Sequence, residues 1–196
     1  MDELVVRSGA PLSGTVRLGG AKNSALKLMV ACLLADGTHR LHEVPRIDDV
    51  RTMGELLGAM GASVERADDG ALEVHVPKDV TPVAPYELVE RMRASIVVLG
   101  PLLARHGWAR VSLPGGDDFG NRPIDFHLRA FEAMGAEFTT EHGYVEGRCE
   151  RLHGARIVLE FPSHTTTDNI LMAAVLAEGM TLIENAAREP EVVDLA

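Results

Sequence analysis

LGGAKNSALKLMVACLLADGTHRLHEVPRIDDV, residues 18–50, has a plan that returns twice along the chain. It recurs in ERMRASIVVLGPLLARHGWARVSLPGGDDFGNRPID (90–125) and in FPSHTTTDNILMAAVLAEGMTLIENAAREPEVVD (161–194). Each stretch has a small polar start (KNS, RAS, TDN), an apolar helical run ending in Leu-Ala, a short turn, and a strand leading to a loop that ends in Asp. With Ala35, Ala104 and Ala177 as equivalents, the copies lie 69 and 73 residues apart, too long for the common helical solenoids. The repeating unit is therefore a small α/β module. Two copies continue through an amphipathic helix into Met-Gly-Ala and another strand, VRTMGELLGAMGASVE (50–65) and FHLRAFEAMGAEFTT (126–140). The glycine there suits a helix C-terminus.

Within a module, the order strand, helix, strand, helix, strand pair alternates periods of 3.6 and 2, which predicts mixed sheets packed against helices. The expected fold is a pseudo-threefold α/β domain of βαβαββ-type modules at about 14–80, 85–150 and 155–196. By the repeat spacing a third Gly-Ala falls at about residue 205. The third module, lacking its closing helix, and the domain are expected to be incomplete at Ala196. Helix starts are signalled at Asn23-Ser24, Ser95 and Asp168-Asn169, whose side chains suit N-caps. Such starts also direct free N–H groups at anions.

Composition sets the class. The chain has 196 residues, 46% of them apolar and 4% aromatic, which fits an aliphatic globular core. The start, MDELVVRSGA, has no apolar run of signal-peptide length, and no later segment is long and apolar enough for a membrane span. The two cysteines, Cys32 and Cys149, are far apart and argue for a reducing cytosol rather than a disulfide framework. A net charge of −10 speaks against generic nucleic-acid binding. An anionic ligand would have to be held by local arginines and lysines. His142, Cys149 and His153 match no zinc spacing, so no metal site is predicted, and His39 and His42 read as surface residues on a strand. No P-loop, GxSxG or dinucleotide fingerprint is present.

LGGAKNSAL (18–26), MRASIVVLGPLLAR (92–105), LPGGDDFGNRPID (113–125), LAEG (176–179) and ENAAREPEVVD (184–194) together resemble the UDP-N-acetylglucosamine 1-carboxyvinyltransferases. These are the enolpyruvyl transferases that open peptidoglycan synthesis. The resemblance implies an inside-out α/β barrel, two similar domains of three modules each, and an active site in the cleft between them. Residues 1–196 correspond to the first of those domains. The implied substrates are phosphoenolpyruvate and UDP-N-acetylglucosamine, with no cofactor, in the cytoplasm. The implied partner is the missing C-terminal domain, and an exposed interdomain face would favour self-association.

Moving an enolpyruvyl group onto a sugar hydroxyl needs a proton on the methylene carbon, attack at the neighbouring carbon, and loss of phosphate. A general acid must therefore lie beside cations. The resemblance places a cysteine of the Gly-Gly loop in the acid's role, and here Asp117 stands at that position. A carboxylic acid can donate only if its pKa rises from about 3.9, which burial beside Asp118 and an anionic substrate would favour. Without the resemblance, Asp117 and Asp118 between glycines read as turn formers, and for Asp118 that reading is kept. Lys22 and Asn23 become phosphoenolpyruvate contacts, and Lys22 and Arg122 join Asp117 as catalytic groups. Arg93 and the run Arg122, Pro123, Ile124, Asp125 and Phe126 become nucleotide-sugar contacts.

Proline fixes the backbone after Arg122, whose planar guanidinium can grip a phosphate with two bonds. Arg93 opens a helical segment, where a cation opposes the dipole unless an anion compensates it. Phe161, Pro162, Ser163 and His164 align with a further contact run. In the family that run reads like Ser-Val-Gly preceded by a lysine; here it is FPSHTTT. Ser163 and His164 are retained as candidates. Two functions of different class remain: an enolpyruvyl transferase with this chain as its N-terminal half, and a non-catalytic half-domain or paralogue that only binds a nucleotide sugar. The sister transferase of the shikimate pathway, which shares the fold, is a third reading.

Overall fold

The computed structural model describes residues 3–113 and 124–196. Three helical segments converge at its centre: α1 (Lys22–Ala31), a 3₁₀ stretch (Arg93–Val98) running into α4 (Leu99–His106), and α6 (His164–Ala174). They come from the three repeats. Their apolar residues are buried on nearly every side, among them Leu26, Met29, Val30, Ile96, Val97, Leu99, Leu102, Leu103, Ile170 and Met172. Fully burying one such side chain stabilises by about 1.5–3 kcal/mol, so this helix cluster is the fold's main driving force.

Each central helix leads into a strand on the outside. After α1 and a short 3₁₀ turn (Cys32–Leu34) comes β1 (Gly37–Leu41), then α2 (Asp48–Ala59) and the hairpin β2 (Ser63–Arg66) and β3 (Leu72–Val76). The second copy begins with β4 (Val83–Ala84) and the short α3 (Tyr86–Val89). From α4 it runs through β5 (Trp108–Ser112), α5 (Asp125–Ala133), β6 (Glu137–Glu141) and β7 (Tyr144–Arg148). Three strands of each of the first two sheets run in the same order. In β1-β3-β2 and in β5-β7-β6 the returning hairpin strand pairs antiparallel with the strand that follows the central helix, Leu41 opposite Leu72 and Ser112 opposite Tyr144. The third copy contains β8 (Arg156–Val158), α6, β9 (Leu182–Glu184) and α7 (Pro190–Leu195).

α2 and α5 end as the sequence predicts. Gly61 and Gly135, each just past the last turn, have φ of 103° and 97°, a left-handed conformation that closes a helix without Cβ strain.

Three expectations need correction. β4 pairs parallel with β5, and β8 with β9, but the strand that a βαβαββ-type module beginning at about residue 14 would open with is absent. Its apolar residues meet no core, since Val16 and Leu18 are 84% and 87% exposed, and ordering them there would gain nothing to offset the entropy. The N-caps also differ. α1 is preceded by Ala21 with no side-chain cap, Ser95 lies inside the 3₁₀ stretch, and α6 is capped by Ser163, whose Oγ accepts from the Thr166 N–H at 3.3 Å. Asp168 and Asn169 are therefore interior helix residues, and both are buried. Finally, a closing helix does begin in the third copy: α7 starts on Pro190, an apt first helical residue, and buries Val192.

Candidate functional site

The start of α1 is set by a close approach. A Cβ on Gly20 would stand 1.9 Å from the Glu43 carbonyl oxygen, so only glycine lets the chain enter the helix along this path. With neither a side-chain cap nor an acid in the first turn, the first N–H groups of α1 carry the positive end of the helix dipole unopposed from within the helix. Lys22 stands there half-exposed, and its Nζ lies 2.8 Å from Asp49 in the first turn of α2. A pair this open to water adds little stability, and it holds the cation beside the helix start. Asn23 donates through Nδ2 to Glu191 Oε1 of α7 at 3.1 Å.

One turn further along α1, Lys27 is a lysine in the core. Its side chain is 2% exposed, and its Nζ lies 3.3 Å from Asp168 Oδ2 and donates to His164 Nδ1 at 3.3 Å. Burial pushes the Asp168 carboxyl up to about 6, with Lys27 pulling the other way and Glu191 and Glu189 adding to the rise. The distance to Lys27 is that of an ion pair, yet neither Asp168 oxygen has a well-formed hydrogen bond, which is why desolvation outweighs the attraction. The Glu191 carboxyl is held below its usual range by its own backbone N–H and the Asn23 amide, with Lys27 and His164 contributing charge.

A second polar set links the repeats at the centre. Asn169 accepts from Gly100 N–H at 2.8 Å, donates to the Ile96 carbonyl at 3.1 Å and donates to His127 Nδ1 at 3.0 Å. His127 is buried on α5; desolvation first, and then the charge of Arg93, push its pKa down to about 3. It is neutral at physiological pH. The same effect places Arg93 within electrostatic reach of α5, whose first turn carries Asp125 and Phe126.

Ile124 precedes α5, is half-buried and packs against the core. Asp125 pairs with Arg129, and Arg129 also reaches Glu160 at 2.8 Å and lies over the Phe126 ring at 5.4 Å. These contacts tie the start of α5 to the segment that leads into Ser163 and His164.

Lys27 thus links α1 to His164 at the start of α6, while Lys22 meets Asp49, Asn23 meets Glu191, and Arg93 acts on His127 in the first turn of α5, next to Asp125 and Phe126 in the chain. Asp117, Asp118, Arg122 and Pro123 lie outside the described residues. Lys27, His127, Asp49 and Glu191 were not singled out from the sequence, and Asp168 and Asn169 only as a helix start. The available signal was a charged residue inside the apolar run of α1, and an Asp-Asn pair inside that of α6. Among the described residues no three His, Cys, Asp or Glu side chains are grouped to hold a metal, and no helix is long and apolar enough to cross a membrane.

Comparison with known proteins adds the family. The chain is 54% identical over 200 residues to a UDP-N-acetylglucosamine 1-carboxyvinyltransferase of Anaeromyxobacter sp. (strain Fw109-5), a match covering all of this chain and 47% of that protein. It is 53% identical over 197 residues to the enzyme of the same name from Oleidesulfovibrio alaskensis, covering 100% and 47%. The chain spans about half the length of the curated relatives it matches. Among solved structures it superposes on the enolpyruvyl transferase NikO from Streptomyces tendae with a TM-score of 0.81 at 24% identity, covering 95% of this chain and 44% of that one. On an EPSP synthase from Acinetobacter baumannii the TM-score is 0.70 at 21% identity, covering 92% and 42%. At such identities these two likenesses speak for the fold. A model of the EPSP synthase (3-phosphoshikimate 1-carboxyvinyltransferase) family matches residues 6–196, and it is to this family that the chain belongs, with UDP-N-acetylglucosamine 1-carboxyvinyltransferases among the relatives that match it end to end.

Proposed function

We propose that the chain forms half of an active site that transfers the enolpyruvyl group of phosphoenolpyruvate to the 3-hydroxyl of UDP-N-acetylglucosamine with release of phosphate, the first committed step of peptidoglycan synthesis. The observation that carries this reading is identity of 52–54% along the whole chain to enzymes of that name. The shikimate-type acceptor is supported only at the level of fold and family. In this reading Lys22 and Asn23 hold phosphoenolpyruvate at the start of α1. Asp117 is the general acid, and Arg122 neutralises charge on the leaving phosphate. Arg93, Pro123, Ile124, Asp125, Phe126, Ser163 and His164 form the nucleotide-sugar side.

The base that activates the sugar hydroxyl belongs to the other half of the cleft. The chain by itself is therefore inactive, because catalytic groups that act as a unit are not separately productive. Its cleft face and the exposed apolar residues before α1 favour self-association. The test measures phosphate release from the two substrates, with the chain alone and with a protein that joins it to the second half of a relative. Turnover only in the joined protein is expected. Failure of the joined protein to release phosphate, with tight binding of the nucleotide sugar retained, would favour the non-catalytic half-domain instead.

A further inference from the structure

We propose that Lys27 is a positioning residue: braced by Asp168, it donates to Nδ1 of His164 and fixes that imidazole as the neutral tautomer with its proton on Nε2, a hydrogen-bond donor for a nucleotide sugar. The proposal rests on the reading above for the identity of the ligand. Its structural part stands on geometry.

An ammonium group has three N–H donors and no lone pair. At 3.3 Å from Lys27 Nζ, His164 Nδ1 can only accept, so the ring proton sits on Nε2. An imidazolium would turn Nδ1 into a second donor and set two positive charges about 3.3 Å apart, with the lysine buried and the imidazole half-buried. The groups around the pair come from three helices. Asn23 and Lys27 lie one turn apart on α1, Asp168 lies one turn below His164 on α6, and Glu191 of α7, with Glu189 just before it, closes the cluster. The carboxylates favour a positive ring. The contact that Lys27 makes directly with Nδ1 opposes them.

Stability does not explain this lysine. Burying a lysine and an aspartate in place of two apolar side chains seldom gains anything, because desolvation consumes the attraction. Here both Asp168 oxygens lack well-formed hydrogen bonds. What the pair does achieve is a fixed link between the two ends of the candidate site, Lys22 and Asn23 at the start of α1 and Ser163 and His164 at the start of α6.

The test follows the His164 ring nitrogens by NMR across pH 5–8.5 in the 196-residue chain, for wild type, Lys27→Met and Asp168→Asn, with folding checked by circular dichroism. In wild type the neutral ring should carry its proton on Nε2, with a midpoint inside this window but below the ordinary value of about 6.5. Lys27→Met should raise its titration midpoint by about one pH unit or more and mix the tautomers, whereas Asp168→Asn should lower the midpoint. A His164 that titrates alike in wild type and Lys27→Met overturns the proposal. If Lys27→Met does not fold, the Asp168→Asn shift decides, and a midpoint that stays or rises overturns it. Calorimetric binding of UDP-N-acetylglucosamine forms a second arm, with about tenfold weaker, newly pH-dependent affinity expected for Lys27→Met. If wild type binds no nucleotide sugar while His164 behaves as stated, the proposed function fails and the positioning role stands.

Discussion

Asn169 and Gly100 lock two central helices together: the amide oxygen accepts the Gly100 N–H at 2.8 Å, in a gap where a Cβ on Gly100 would come within 2.4 Å of that oxygen. The same amide satisfies Ile96 and His127, so one side chain carries three inter-element bonds in a dry core. Gly100→Ala should force α4 and α6 apart and cost about 2–4 kcal/mol. Asn169→Leu should cost at least as much, because it strands a buried N–H, a carbonyl and an imidazole. Urea denaturation measures both. Losses under 1 kcal/mol would show that the helix contact tolerates slack.

His127 and Asp168 give stability opposite pH dependences. His127 binds its proton at about 3 in the fold and at about 6.5 when unfolded. Its contribution is full above pH 6.5 and is lost as pH falls towards 3. Asp168 titrates at about 6 in the fold and at about 3.9 unfolded. Its contribution is full below that lower value and is lost as pH rises through 6. Between about pH 6 and 4 the two largely cancel, so wild type should show a shallow profile from this pair. His127→Gln should make stability rise on acidification, and Asp168→Asn should make it fall, each by up to about 1.4 kcal/mol per pH unit. Urea midpoints at four pH values check the signs; variants that track wild type would refute the assignment.

Cys32 should be inert while the chain is folded. Burial pushes its thiol up to about 11, and the side chain donates to the Leu28 carbonyl at 3.3 Å. Thiolate is the reactive form, so alkylation by iodoacetamide should proceed at the rate of global unfolding. Mass spectrometry with and without urea reads this out. Rapid native labelling of Cys32 would mean that α1 opens locally.

In the proposed full enzyme, Asp117 should confer resistance to fosfomycin, an epoxide that the resemblance to UDP-N-acetylglucosamine 1-carboxyvinyltransferases implies would act by alkylating a cysteine at this loop position. A carboxylate attacks such an epoxide far more slowly than a thiolate does. Asp117→Cys should restore sensitivity and keep some activity. Asp117→Asn should abolish turnover, since an amide cannot serve as the acid near neutral pH. A stoichiometric drug adduct on wild type, or a fully active Asn variant, would give the loop a different role.

The sequence was most legible where a pattern is short-range. The apolar helical runs, the glycines after α2 and α5, and the strand pairs all obey local periodicity and turn chemistry. Their recurrence at one spacing disclosed the repeat. It was least legible where chemistry depends on a distant partner. Asp168-Asn169 has capping composition, yet the helix begins at Ser163, and those two side chains instead serve Lys27, Gly100, Ile96 and His127 from other repeats. Lys27 draws no notice in the sequence, because nothing near it reveals a histidine 137 residues away. The expected strand before α1 failed for a related reason: Val16 and Leu18 alternate correctly, but alternation specifies a strand only when a sheet edge and a core receive it.

The meeting of α1, α4 and α6 at the centre also constrains how the chain reaches its fold. Each helix packs on its own repeat and also on another, α1 on α2 and on α7, α4 on β5 and on α6, and Arg105 of α4 reaches back to the carbonyls of Leu33, Pro77 and Lys78. No repeat covers its central helix completely by itself. Closing those long loops precedes the reward for closing them, which makes folding slow and single-step rather than sequential. A fragment ending at Val76, with its hairpin intact and α1 covered only by α2, should remain unfolded.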